Sequence, residues 1–469
     1  MKARLHLGDC LELLATLPDN SIDAVVTDPP YGLGKPPKAE DILTAWLAGE
    51  RAEVSGGGFM GKDWDAFVPG PRIWREVYRV TKPGGHAVVF AGTRTLDWMA
   101  MACRLAGWEV RDSGVWCYWS GFPKSLDVSK AIDKAAGAER EVVGRRTTGI
   151  GTGRGPTSIM GDGNRDITAP ATDDAKRWEG WGTALKPAWE PWLVLRKPLD
   201  GTVAANVLEH GTGGINVDGC RFKPGDPMWP GPQDGWEKGG GIKQTGISGS
   251  GSGSGAEVYG NRGGARNGWH DDGRWPANLI HVPKPSRSER EQGLGRIPGA
   301  VGAAVDTHGA GTKALKSPRA GAGANYTSET LKNDHPTVKP RRLMAWLVRL
   351  VTPPGGTVLD PFMGSGTTGA AATGQGFDFM GADLSARYVA IAHERIRHSA
   401  PGVTIDAPQE ALDILQESTA PTLWDTLAAR KPPEDAEPSE VGATIGEPTG
   451  HARDATESQG GTTPGVSDG

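Results

Sequence analysis

Cysteine is scarce in this chain: Cys10, Cys103, Cys117 and Cys220 are all there are in 469 residues, with no CxxC pair among them. Nor is there a histidine cluster at zinc spacing, so neither a disulfide framework nor a zinc module is indicated, and no metal is expected. The expected state of the four is that of reduced, buried thiols. An opening signal peptide is absent, and so is any apolar run of about 18 residues, the minimum for a membrane-spanning helix. A soluble, intracellular protein with no membrane partner is the expectation. An excess of basic charge is missing too, since the formal net charge is −5. That total hides an asymmetry. From Pro401 onward 13 acidic residues face three basic ones, which leaves 48 basic and 43 acidic residues before it, a body of +5 and a tail of −10. Residues 401–469 are rich in Pro, Thr, Gly and Ser with few aromatics, and are expected to form an acidic, disordered tail.

What the chain does contain is Asp28-Pro29-Pro30-Tyr31, placed at the end of the apolar run Ile22–Thr27. The run reads as a buried strand. Each proline fixes its own φ and biases its predecessor toward extended conformations. Asp28 and Tyr31 are therefore expected at the carboxyl edge of a sheet, where open α/β sheets bind ligands. An acceptor carboxylate, a carbonyl that cannot join a helix and an aromatic face suit a planar base bearing an exocyclic amine. Alone, the tetrapeptide also reads as a Pro-Pro turn with Tyr31 as packing.

A second signature begins at Thr357, where the short strand Thr357-Val358-Leu359-Asp360 runs into Pro361-Phe362-Met363-Gly364-Ser365-Gly366-Thr367-Thr368-Gly369 and a small-residue helix. Gly364, Gly366 and Gly369 satisfy G-x-G-x-x-G, and Asp383 lies 19 residues after Gly364, where a ribose-binding acid would sit. A dinucleotide site competes for this pattern. Against it, the turn begins Asp-Pro-Phe, and a nicotinamide enzyme has no use for Asp28-Pro29-Pro30-Tyr31. Both readings share a strand, glycine turn and helix that approach an adenosine-containing ligand closely.

The two signatures together resemble those of the amino-directed DNA methyltransferases, which use S-adenosylmethionine. Their order resembles the permuted class, catalytic motif before cofactor motif, and the long glycine-rich insert is similar to enzymes of phages and prophages. Three further segments agree. His335-Pro336-Thr337-Val338-Lys339-Pro340 resembles the cofactor-pocket motif, Gly381-Ala382-Asp383-Leu384 with Tyr388 the ribose-binding strand, and Leu7-Gly8-Asp9-Cys10 the segment facing the adenine. The family usually carries Glu where this chain has Asp383.

The resemblance implies a permuted seven-strand α/β methyltransferase fold acting on double-stranded DNA in the cytoplasm of a bacterial host, as in restriction–modification. It implies that Asp28, Pro29, Pro30 and Tyr31 hold a flipped base. Asp28 and the Pro29 carbonyl would accept the two amine hydrogens while Tyr31 stacks on the ring. Asp9, Cys10, Thr337, Lys339, Asp360, Phe362, Gly364, Gly366, Thr367, Thr368, Asp383 and Leu384 would surround the cofactor, with Thr337 and Lys339 on its carboxylate. Acid rather than serine at position 28 leans the target toward adenine N6. Cytosine N4, or a catalytically silent DNA-binding protein of the same fold, is the alternative. Oligomeric state, a dimer included, is open.

Along the chain, 1–200 reads as the catalytic part, 201–332 as a target-recognition insert, 333–400 as the cofactor part and 401–469 as the tail. Strands are expected at 4–7, 22–27, 86–91 and within 186–195, helices at 10–17, 73–80 and 96–106, and an extended run at 108–118. The helix at 73–80 should be stopped by Lys82-Pro83-Gly84-Gly85. Residues 32–65 and 140–180 read as long loops. Trp229, Trp236, Trp269 and Trp275, with the Ser/Gly alternation at 248–255, mark the insert as an aromatic module with a flexible tether.

Overall fold

The computed structural model describes residues 1–32, 34, 37–50, 65–121, 125–145, 166–223, 225–229, 269–270, 273–299 and 331–417, all within one compact unit, Met1–Thr419. The chain opens with β1 (Lys2–Leu7), α1 (Cys10–Ala15) and β2 (Ile22–Thr27), which is buried from end to end. Next come α2 (Ala39–Leu47), α3 (Pro71–Val80) and β3 (Thr81–Phe90), then α4 (Leu96–Leu105) and β4 (Glu109–Cys117). The peripheral elements are α5 (Val128–Ala135), β5 (Val142–Arg145), β6 (Asp166–Thr168) and α6 (Asp173–Arg177). After β7 (Trp189–Arg196) and α7 (Val203–His210) lie the short β8 (Trp269–His270), β9 (Gly273–Arg274), β10 (Leu279–His281) and α8 (Arg287–Arg290). The last third is α9 (Arg341–Val351), β11 (Thr357–Asp360), α10 (Thr367–Thr373), β12 (Asp378–Asp383), α11 (Ala386–Ser399), β13 (Thr404–Asp406) and α12 (Gln409–Glu417).

Among the described residues nine strands form one sheet in the order β10-β4-β7-β3-β2-β11-β12-β1-β13. All run parallel except β7, which lies antiparallel between β3 and β4. The two signature strands are neighbours, because Ala24 of β2 pairs with Val358 of β11. Alternation of side chains divides the core in two. Ala24, Val26 and Val358 face one side, with Leu343, Ala371 and Val389 from α9, α10 and α11. Val25, Val89 and Leu359 face the other, with Leu13, Trp74 and Met99 from α1, α3 and α4. Helices on both faces bury the central strands completely, which is why these read as near-continuous apolar runs. Among the described residues no helix is long and apolar enough to cross a membrane.

Several expectations change. Among the described residues the sheet has nine strands against an expected seven, because β10 and β13, three residues each, add to its edges, and such short segments give no readable periodicity. α3 ends at Val80 as expected, but the strand expected at 86–91 already begins at Thr81, so Lys82-Pro83-Gly84-Gly85 lies inside β3. Its extra residues form a bulge, since Ile22 pairs with Thr81 but Ala24 with His86. The 32–65 stretch contains α2, whose Ile42 and Trp46 are buried; Gly56-Gly57-Gly58 lies outside the described residues. The 140–180 stretch holds the β5–β6 pair and α6, held by Asp133, which accepts from Arg140, Ala171 and Thr172. Residues 401–417 of the tail form β13 and α12; the rest of it lies outside the described residues. β13 pairs with β1, and Ala411 and Leu415 of α12 are buried in the core. Part of the insert is core as well: Phe222 stacks on Trp346 at 5.7 Å and Trp229 packs beside it. Trp275 is exposed; Trp236, the Trp269 side chain and the 248–255 run lie outside the described residues.

Candidate active site

Asp28 comes directly after β2, and its loop is tied down on three sides. The Tyr31 and Gly32 amides both donate to Asp65 Oδ1, at 2.8 and 3.0 Å, and the Thr95 hydroxyl donates to the Tyr31 carbonyl at 2.6 Å. The Tyr31 hydroxyl donates to Glu190 Oε2 at 3.1 Å, which fixes the ring plane. Glu190 lies on β7, the reversed strand, whose Trp189-Glu190-Pro191-Trp192 segment brings it to the cavity.

The ammonium of Lys339 donates to Asp28 Oδ2 and lies 3.3 Å from Glu190 Oε2. It also sits 5.2 Å from the centre of the Tyr31 ring and 5.0 Å from that of Phe90. The Lys339 side chain is 5% exposed, and Asp28 and Glu190 are 16% and 17% exposed. Asp28 Oδ1 is buried and has no hydrogen-bond partner among the described residues. Burial raises the Asp28 carboxyl above its usual range; Lys339 opposes the rise and Glu190 adds to it. For Lys339 burial works against the charge, but Asp28 and Glu190 outweigh it and the ammonium is held more firmly than usual. Burial, then the charges of Asp28 and Glu190, push the Tyr31 phenol well up, so its hydroxyl stays protonated.

The glycine turn lies at the end of β11, next to this loop. Asp360 is buried and fully engaged, accepting from the Thr27 hydroxyl at 2.7 Å, the Thr368 hydroxyl at 2.6 Å and the Phe362 amide at 3.1 Å. It knots the end of β2 to the turn; burial pushes its carboxyl to about 6 despite these bonds. Gly364 and Gly366 have φ of 49° and 74°, a region costly for other residues. Both are also pressed by protein: a Cβ on Gly364 would lie 2.6 Å from His335 Nε2, and one on Gly366 would lie 2.5 Å from the Ala392 Cβ of α11. Arg395, buried on α11, donates to the Ser365 carbonyl and hydroxyl and to the Thr367 hydroxyl, at 2.8, 3.0 and 2.9 Å. Asp383 closes β12, accepts from the Ser385 amide at 2.8 Å, and is pushed to about 6 by burial.

One cavity along the carboxyl ends of the strands joins these parts. It is lined by Asp9, Cys10, Asp28, Pro29, Pro30, Tyr31, Thr337, Lys339, Asp360, Phe362, Gly364, Thr367, Thr368, Asp383 and Leu384. Of the sequence-predicted residues only Gly366 is not on its wall. Asp9 also caps α1 by accepting from the Leu11 amide, and Cys10 is a buried thiol whose pKa rises to about 12, first from burial and then from Asp9. Thr337 is exposed at the rim. Lys339, expected at the cofactor's carboxylate, is bonded to Asp28, and the Thr368 hydroxyl donates to Asp360. Sequence reading missed Glu190, Asp65, Thr95, Ser365 and Arg395. Glu190 had a local signal, a lone acid within an aromatic, proline-flanked strand, and Ser365 lay inside the glycine turn itself; Asp65, Thr95 and Arg395 come from remote segments.

The family model for the N6/N4 DNA methylases matches residues 22–135 and 261–394, more than half of the chain. The protein belongs to that family. Over 70 residues it is 37% identical to the type II methyltransferase M.HinfI of Haemophilus influenzae, covering 15% of this chain and 20% of that protein. Over 62 residues it is 44% identical to the type II methyltransferase M2.DpnII of Streptococcus pneumoniae, covering 13% and 23%. The chain thus matches about a fifth of the length of these curated relatives. Among solved structures, the cytosine-N4-specific PvuII DNA methyltransferase covers 89% of this chain and 93% of its own at 14% identity, with a TM-score of 0.41. The Thermus thermophilus protein TTHA0409, in complex with S-adenosyl-L-methionine, covers 86% and 97% at 18% identity, with a TM-score of 0.36. At such scores the likeness adds nothing to the family membership.

Proposed function

We propose that the protein is a site-specific DNA methyltransferase that methylates the exocyclic amine of a flipped base, adenine N6, with S-adenosylmethionine as donor. The observation that carries this reading is the one cavity in which Asp28, its Oδ1 without a hydrogen-bond partner among the described residues, stands beside the glycine turn and Asp383. The residues suit that cofactor: a carboxylate at the end of β12 for the ribose hydroxyls, and Phe362 and Leu384 as apolar wall. When bound, the cofactor supplies a methyl group activated by its sulfonium. The chain's own residues do the rest. Asp28 accepts a hydrogen bond from the amine and draws its lone pair out of the ring, and Tyr31, its ring fixed by Glu190, offers a stacking face. A target base must leave the duplex to reach it, because Asp28 lines a cavity and its Oδ1 is buried. Acid rather than serine at position 28 favours adenine over cytosine.

Radiolabelled S-adenosylmethionine, incubated with the protein and unmethylated duplex DNA, should transfer label to the DNA. No transfer to DNA of any sequence, from protein that binds the cofactor, would favour a silent DNA-binding protein instead.

A further inference from the structure

Lys339 is buried in the cavity wall and bonded to acids rather than left open to it. It comes after the cavity-lining stretch His335–Val338, yet its ammonium reaches across to the base side of the cavity and lies between two carboxylates from different strands, Asp28 after β2 and Glu190 on β7. We propose that Lys339 is a positioning residue for Asp28: lodged between Asp28 and Glu190, it keeps the buried Asp28 carboxylate anionic and engages one of its oxygens, leaving the other to accept the substrate amine. The proposal rests on the methyltransferase reading above.

A buried carboxylate left alone takes up a proton, and a second carboxylate close by makes this worse. Asp28 has both problems. Protonated, it loses the charge that makes its acceptance from the amine strong. A half-turn about its Cβ–Cγ bond exchanges the two oxygens, so either can meet the amine while the other stays on Lys339. The groups facing Asp28 are Lys339, Glu190, Tyr31 and Asp360. Lys284, 3.7 Å from Glu190 Oε1 and 4.2 Å from the centre of the Tyr118 ring, adds a second cation further out. The Tyr31 and Tyr118 phenols are both pushed up by burial and stay neutral, so Lys339 is the one cation among the described residues in contact with Asp28. Glu190 serves as its anchor. With Tyr31 donating to the same Oε2 that Lys339 approaches, base platform and ammonium are set by one carboxylate.

The test compares wild type, Lys339→Met and Lys339→Arg. The acid limb of the kcat/KM profile against pH should move up by at least one pH unit in Lys339→Met, with about a tenfold loss on the acid side that alkaline pH restores. Lys339→Arg should bring the limb most of the way back. Cofactor affinity, measured by calorimetry, should stay within about threefold of wild type. A loss equal at every pH, or a loss of cofactor affinity with the limb unmoved, would overturn the proposal and return Lys339 to the cofactor. The pair is also readable without turnover. In protein carrying 13C-labelled aspartate carboxyls, the Asp28 signal, assigned with Asp28→Asn, should titrate at higher pH in Lys339→Met than in wild type. Should wild type transfer no methyl group while this titration moves as stated, the function fails and the pairing stands. An unmoved titration sinks the pairing whatever the activity.

Discussion

Replacing Gly366 by alanine separates two costs that glycines usually hide together. Gly366 and Gly211 share the same φ, 74°, at opposite kinds of helix end: Gly366 caps the start of α10 and Gly211 the end of α7. A Cβ at Gly211 meets nothing within 4 Å, so Gly211→Ala should cost only the left-handed backbone, about 1–2 kcal/mol. At Gly366 the same methyl would stand 2.5 Å from the Ala392 Cβ and 2.7 Å from its Cα, and backbone cannot swing aside. Ala392 is fully buried, so α10 and α11 must part; overpacking of this kind adds about 1–3 kcal/mol. Gly366→Ala should therefore be the less stable by that margin in urea unfolding monitored by tryptophan fluorescence, and should also weaken cofactor binding. Equal losses in the two variants would refute the claim that helix contact, rather than backbone angle, demands glycine there.

Leu359, fully buried on β11, should cost about 2–5 kcal/mol when cut to alanine, read as a fall in the urea midpoint. Asp28→Ala should abolish methyl transfer yet leave cofactor binding by calorimetry near wild type, since the turn around Gly364 is untouched. Burial, reinforced by Arg196 and Arg111, lowers His86 to about 4, below the ordinary value of 6.5. The unfolded chain then takes up the proton first, so stability present above pH 6.5 is lost as pH falls toward 4. The full loss is roughly 3 kcal/mol, and a His86→Gln variant should flatten this part of the stability profile. Truncation after Ala400 removes β13 and the buried Ala411 and Leu415 and should lower the melting temperature, whereas truncation after Glu417 keeps all three.

The centre of the fold was legible because its strands are buried on both faces: Ile22–Thr27 and Thr357–Asp360 announce themselves by unbroken apolarity and by the motif each one leads into. The edges were not. β10 and β13 are three residues each and owe their form to pairing with β4 and β1 rather than to any pattern of their own. In the same way α12 was hidden within an acidic, proline-rich stretch, and its buried Ala411 and Leu415, with Leu412 and Ile414 packed beside them, tie it to the core. At the site, the motifs located Asp28, Tyr31, Gly364 and Asp383 on one cavity wall. They could not say which partner each polar atom takes. Asp360 spends its hydrogen bonds on Thr27, Phe362 and Thr368, and Lys339 on a carboxylate more than 300 positions earlier, because contacts between neighbouring strand ends leave no trace in sequence spacing.

The central claim, methyl transfer to a base amine in DNA, is tested most directly by expressing the protein in a host that lacks DNA methylation and analysing the nucleosides of its digested DNA. The account predicts N6-methyladenine at a defined short site, absent from cells carrying Asp28→Ala. N4-methylcytosine would refute the adenine assignment and leave the chemistry of Asp28 standing. DNA with neither modified base, from cells containing folded, cofactor-binding protein, would contradict the claim itself.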